Sequence, residues 1–278
     1  MTKEVLSSRR LTKEVGRFTR VTPGSQSLER GLQILRAFRL GIGELTNAEL
    51  ARRTGLPRPT VSRLTRSLVD AGFLSYDLQL QAYRLGAVTL SLSQAFRYGL
   101  PVLEVALPLM RKVAEGEQIN VGLAVPDQLE MVYLESARES RMGIFRRLSA
   151  GSRIPIELTS LGRAYLSGLP KPERQQLLGR IAQQHDKGWP ALLAEINRGV
   201  MHIKKNGYCQ ASWQTGVIAI AAPLPAPDQT LYALNISFPI GEKEAENSAQ
   251  VKRYAQMLLR LKEQILETWR ARIEAVPL

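Results

Sequence analysis

The sequence has one cysteine, Cys209, in 278 residues, which excludes an intramolecular disulfide framework and suits a reducing cytoplasm. It has two histidines, His185 and His202, with no ligand spacing to each other or to the cysteine. A His-based triad or a His-rich metal site therefore lacks its parts. Long apolar runs are missing as well. The longest stretches, such as Val217 to Pro227, reach about half of the ~20 residues of a membrane helix, so no membrane partner is expected. Residues 1–24 lack the apolar core of a signal peptide. There is no nucleophile elbow, no Walker loop and no recognisable frame of paired carboxylates. The expectation is no catalysis, no cofactor and no metal.

Acidic residues are the scarcest class relative to need: 25 against 38 Lys and Arg, a net charge of +13. Such a surplus points to a polyanion, nucleic acid before membrane. Residues 1–26 hold six basic residues against two acids, and residues 27–86 hold nine against five. The first third of the chain thus carries most of the excess. Residues 1–24 read as a flexible basic arm.

Apolar residues at helical spacing (Leu28, Leu32, Leu35, Phe38) predict a first helix, stopped by Gly41 and Gly43. Thr46-Asn47-Ala48-Glu49 is a capping box that opens a second helix, running to about Thr54. Gly55-Leu56-Pro57 is a turn, and a third helix runs from about Pro57 to Ala71. Ala51, Gly55, Val61 and Leu64 meet the demands of a helix-turn-helix: a small residue at the crossing, a turn, and two packing positions. With Val61, Leu64, Leu68 and Val69 as the buried stripe, the outer face shows Arg58, Thr60, Ser62, Arg63, Thr65 and Arg66. These are donors suited to base edges and phosphates. Gly72 to Tyr76 and Gln81 to Gly86 read as two strands of a wing. A helical docking module with the same packing is the alternative, which the arginine-bearing face and the wing disfavour.

Here the chain resembles the IclR family of bacterial transcription regulators. The carrying segments are Ser27 to Leu32, Leu45 to Ala51, Thr54 to Leu64 and Tyr83 to Gly86, then Gly151 to Pro155, Thr159 to Ala164, Gly207-Tyr208, Ala221 to Pro223 and Ala233 to Ser237. The resemblance implies an α+β chain: an N-terminal winged helix-turn-helix, a linker helix, and a C-terminal GAF-like effector domain with an antiparallel sheet and flanking helices. The expected divisions are 25–86 for DNA binding, 87–100 for the linker and 101–278 for the effector domain. Double-stranded DNA, a small carboxylate effector and a second copy, as homodimer or homotetramer, are the implied partners. Thr46, Arg58, Thr60, Ser62, Arg63, Arg66 and Arg84 are the expected DNA-binding residues, and repression is the expected sign. The residues allow these divisions independently. Ala87 to Tyr98 reads as a helix with Val88, Leu92, Ala95 and Phe96 on one side. Val251, Tyr254, Leu258, Leu261 and Ile265 give a long amphipathic final helix, read as packing on its own sheet rather than as a coiled coil.

Carried over by position, the amides of Ser160 and Leu161 hold the acid group of the effector at a helix N-terminus. The alternative is that Thr159 or Ser160 only caps that helix. Asn235 and Ser237 share one side of a strand and, by the resemblance, face the pocket. Backbone or water could equally satisfy them. Many members of the family carry an Asp-rich loop followed by a Cys. Here the loop is Cys209 to Thr215, without acid, and the Cys position falls on Ala219. That disfavours glyoxylate or pyruvate and leaves Trp213 as a wall for a larger, aromatic carboxylate, or as ordinary core. Cys209 reads as a small buried hydrophobe, not a redox sensor. A non-specific architectural DNA binder would explain the charge but not nearly 180 further residues. An enzyme acting on small acids is the remoter rival.

Overall fold

The computed structural model describes residues 24–139, 148–241 and 244–275. The basic arm expected over residues 1–24 lies, apart from Gly24, outside the described residues. Contacts divide the chain into two compact units between Leu92 and Ser93.

The first unit opens with α1 (Gln26–Arg36), whose Ser25 cap accepts a hydrogen bond from the Leu28 amide. Then come β1 (Leu45–Thr46), α2 (Asn47–Thr54), α3 (Arg58–Asp70), β2 (Leu74–Asp77) and β3 (Ala82–Leu85). Ile34, Leu45, Leu50, Val61, Leu64 and Leu74 form the core. The capping box is present: the Thr46 hydroxyl accepts from the Glu49 amide, and the Glu49 carboxylate accepts from the Thr46 amide at 2.8 Å. Gly55 closes α2 with φ of 69°, a left-handed turn that glycine takes without steric cost. The wing holds one strand more than the sequence suggested. Two-residue β1 pairs with β3, giving the order β1-β3-β2 and placing Thr46 opposite Ala82. Gly86 leaves the wing against the end of α3. A β-carbon there would collide with the Gly72 carbonyl, and its amide donates to Phe73 O at 2.8 Å.

Helix α4 (Val88–Tyr98) follows, its start held by the Thr89 hydroxyl on Gly86 O at 2.7 Å. Its spacing of Val88, Leu92, Ala95 and Phe96 makes one side apolar, yet none of its residues is buried. Leu90, Leu92 and Phe96 are more than half exposed.

The second unit contains α5 (Pro101–Glu117), β4 (Asn120–Asp127), β5 (Glu130–Arg138), β6 (Arg153–Pro155), α6 (Ser160–Gly168), α7 (Lys171–Ala182), α8 (Trp189–Asn206), β7 (Cys209–Ala211), β8 (Val217–Pro225), β9 (Leu231–Pro239) and α9 (Glu244–Glu274). Its strands form one antiparallel sheet, β6-β5-β4-β9-β8-β7. Strand alternation assigns the faces. Ile220, Leu224, Leu234, Ile236 and Phe238 point to α5 and α9, where Met110, Leu258, Leu261 and Ile265 complete one core. Ala124, Tyr133, Ala221 and Ala233 point to α6 and α8 and meet Leu161, Ala164, Ile196 and Val200. The final helix therefore packs on its own sheet, as expected. Cys209–Ala211 is an edge strand rather than the loop that the sequence suggested, because its backbone pairs with Ala219 to Ala221. The fold is α+β, with a winged helix-turn-helix followed by an antiparallel sheet domain.

Candidate functional site

Two surfaces carry chemistry, one in each unit. In the first, α3 exposes Arg58, Ser62, Arg63 and Arg66, with Thr60 half-buried beside them. Among the described residues none of these arginines has an acidic partner. Their guanidinium groups are thus available to an outside acceptor, each with five donors in a fixed fork. Exposed Arg52 and Arg53, in the last turn of α2, add cations that the sequence reading did not single out. Their signal, adjacent arginines at the end of the helix before the turn, was present.

One residue departs from expectation, and two others have their polar atoms engaged within the protein. Thr65, read as part of the outer face, is fully buried, and its hydroxyl donates to Val61 O at 2.9 Å and Ser62 O at 3.1 Å. It lies one turn beyond Val61 and beside Leu64, on the packed stripe, where the helix backbone satisfies its polar atom. The Thr46 hydroxyl is committed to Glu49, to which it donates at 2.8 Å. Arg84 sits on the wing between two carboxylates, Glu44 at 3.2 Å and Asp77 at 3.3 Å. Asp77 also accepts from the amides of Gln79 and Leu80, and these bonds hold its carboxyl below the ordinary range.

In the second unit a cavity opens on the α6-facing side of the sheet. It encloses about 30 Å³ and opens to solvent at its mouth. Asn120 and Gly122 of β4, Tyr133 and Arg138 of β5, and Asn235 and Ser237 of β9 line it. Ser136, Leu148, Gln214 and Val217 complete the wall. Register explains the convergence: Asn235 lies opposite Gly122, and Ser237 opposite Asn120. A bulge between Leu123 and Ala124 shifts the β4–β5 pairing, so Tyr133 joins Ser136 on the same face. Gly122 is required beneath them, because a β-carbon there would strike the Tyr133 ring and the Asn235 amide. Tyr133 is buried, which pushes its phenol up to about 12 against the opposing hydrogen bond from Asn235.

The expected effector residues divide. Asn235 and Ser237 line the cavity. Ala219 is buried opposite Ser237 on β8. Ser160 and Leu161 start α6 and are buried, away from the cavity lining. Thr159 caps that helix by accepting from the Gly162 amide, and Cys209 donates its thiol proton to Ser160 O at 3.5 Å. Trp213 packs against the core beneath α6, next to cavity-lining Gln214. Asn120, Tyr133 and Arg138 were not foreseen. Among the described residues no group of three acids, histidines or cysteines is placed to hold a metal, and no helix is long and apolar enough to cross a membrane.

Comparison with known proteins covers both units. The family model of the IclR helix-turn-helix domain matches residues 27–78, and that of the bacterial transcriptional regulator IclR C-terminal region matches residues 95–266. The chain is 31% identical over 218 residues to the HTH-type transcriptional regulator TsaQ1/TsaQ2 of Comamonas testosteroni, covering 77% of this chain and 78% of that protein. It is 27% identical over 185 residues to the transcriptional repressor IclR of Escherichia coli, covering 65% and 64%. The solved IclR family transcriptional regulator from Brucella abortus superposes with a TM-score of 0.77 at 31% identity, covering 93% of this chain and 97% of that one. Matched in both its helix-turn-helix and its sheet domain, in that order, the chain belongs to the IclR family of bacterial transcriptional regulators.

Proposed function

We propose that this regulator represses a promoter by laying α3 in the major groove of its operator, and that a small carboxylate bound in the sheet domain relieves the repression. The observation that carries the reading is the exposed run Arg58, Ser62, Arg63 and Arg66 on a helix whose other side is packed. Thr60 adds a donor at the same edge. Thr46 and Arg84 act, in this reading, by shaping the helix-turn-helix and the wing, since their polar atoms are already engaged.

The effector lies across β7, β8 and β9 beneath α6. The amides of Ser160 and Leu161 face its carboxylate, Trp213 and Ala219 flank it, and Asn235 and Ser237 meet its other end. Ser160 lies over Cys209, which is cross-strand from Ala221 and then from Asn235. Two strand spacings are about 10 Å, the length of a substituted benzoate. Because Ser160 and Leu161 are buried, α6 must lift for the ligand to reach them. The protein binds this ligand without turning it over, in the cytoplasm, where its DNA is. It works as a dimer on a two-fold operator. Exposed Leu28 and Leu32 on α1, and the apolar side of α4, supply surface for a second copy.

The test is selection of bound sequences from a random duplex pool by the full chain at physiological salt. Convergence on an inverted repeat, bound at least a thousandfold more tightly than random duplex, is expected. A specificity ratio near one would leave only the architectural reading.

A further inference from the structure

Helix α8 turns one side inward and packs it fully. Ile196, Val200 and Ile203 are buried there in the sheet domain's second core. On the opposite side the exposed residues Ala191, Ala194, Arg198, Met201 and Lys205 follow one another at steps of three and four. That spacing makes a single line along the helix, about 21 Å long at 1.5 Å per residue. Three of its five residues are apolar, and Met201 is 63% exposed. A helix face made for solvent is polar throughout.

The charge on this side has one sign. Lys204 flanks the line beside Lys205. Glu195, the one acid in α8, is paired with Arg163 at 3.1 Å. Arg198, Lys204 and Lys205 have no acidic partner among the described residues. The helix dipole accounts for the two lysines in the last turn, because its effect ends within that turn. It does not account for Arg198, two turns before Lys205, or for Met201 between them.

The line discriminates among occupants. A second copy in a two-fold contact centred on Met201 would bring Arg198 against Lys205, like charges on each side. A nucleic-acid duplex would answer the cations but leave Met201 against phosphate. An acidic amphipathic helix answers both, with carboxylates for the cations and an apolar side for Met201. The two alanines let such a helix approach closely, and a methionine adapts its shape to an irregular neighbour.

We propose that the outward side of α8 docks an acidic amphipathic helix of another protein. Met201 enters the apolar side of that helix, and Arg198, Lys204 and Lys205 pair with its carboxylates. The surface is separate from the operator-binding face and from the sheet cavity, so this regulator has a protein partner besides its DNA and its effector.

The experiment selects peptides on the immobilised full chain at physiological salt. The library holds amphipathic helices of about five turns, leucine on one side, with the flanking positions randomised among Glu, Gln and Lys. Selection is expected to enrich Glu. The best peptide is expected to lose about fivefold or more in affinity for Met201→Gln and for the double variant Arg198→Glu with Lys205→Glu. The same peptide with Lys in place of its Glu residues is expected to regain binding to the double variant. All these positions are exposed, so melting curves and operator binding should match the parent. Failure to select any peptide, selection without enrichment of Glu, or a selected peptide that binds both variants like the parent overturns the proposal. Loss of random-duplex binding by the double variant overturns it in favour of nucleic acid. Loss of self-association in either variant, measured by sedimentation, overturns it in favour of a contact between copies.

Discussion

Arg97, near the end of α4, donates a hydrogen bond from Nη1 to the carbonyl oxygen of Leu134 at 2.7 Å, and its Nη2 pairs with Glu135 at 2.8 Å. Leu134 is the residue skipped in the β4–β5 register, where Leu123 pairs with Glu135 and Ala124 with Tyr133. The bulge that turns Tyr133 into the cavity is thus the same feature that fastens α4 to β5. Replacing Arg97 with Ala should leave effector binding and operator binding each within a fewfold of the parent. The shift in operator affinity on adding effector should fall towards none. Fluorescence anisotropy of labelled operator, with and without effector, measures both. A full effector response in Arg97→Ala would show that the signal leaves β5 by another route.

On α3, Arg63→Ala should lose about 1–3 kcal/mol at the selected operator and much less on random duplex if Arg63 reads a base. Thr65→Ala is the matched control two positions on. Its side chain is buried and its hydroxyl is satisfied within the helix. It should lower unfolding stability by about 1 kcal/mol and leave the selected sequence unchanged. A changed sequence preference in the Thr65 variant would place that side chain at the DNA after all.

Two glycines under the sheet domain differ in what they touch. A β-carbon on Gly122 meets two side chains, Tyr133 and Asn235, whereas one on Gly162 meets the backbone of Ile156. Side chains can swing aside and backbone cannot. Gly122→Ala should cost about 1–3 kcal/mol of stability, the ordinary range of overpacking. Gly162→Ala should cost more, and urea unfolding of the two variants ranks them. The reverse order would mean that the turn before α6 gives way more readily than the cavity wall.

Burial pushes the phenols of Tyr133 and Tyr232 up to about 12, with the nearby Asp228 carboxylate adding to the effect on Tyr232. The unfolded chain ionises these groups near 10, the folded chain only near 12. The stability they contribute is therefore whole below pH 10 and lost as pH climbs from about 10 to about 12. Urea midpoints across that range should fall less steeply for Tyr133→Phe and Tyr232→Phe than for the parent. Parallel curves would mean that both phenols reach water before the chain unfolds.

The N-terminal unit was largely legible because its signals are local. A capping box and a glycine in a left-handed turn each act within a few residues, and Thr46 and Gly55 stand where those rules put them, while Pro57 falls one place before the helix, at its N-cap. Thr65 escaped because its residue type suggests an outward side chain, while its position beside Leu64 decides otherwise. In the sheet domain, alternation put Asn235 and Ser237 on one face. The same alternation sends Tyr133 and Ser136 to opposite faces, and only the bulge reunites them. Asn120, Tyr133 and Asn235 come together through strands 115 residues apart in sequence, a relationship that no local pattern encodes. Cys209 to Ala211 lacks the length to announce a strand and is made one by pairing with β8.

Gly86 leaves no room for a side chain between the wing and the end of α3, and Arg97 grips the bulge of β5 eleven residues later. In the proposed reading, effector binding in the sheet domain is coupled to operator binding by the helix-turn-helix. Such a coupling has no preferred direction. Whatever factor the effector imposes on operator affinity, the operator must impose on effector affinity, so the regulator sitting on its promoter senses a different concentration from the copy free in solution.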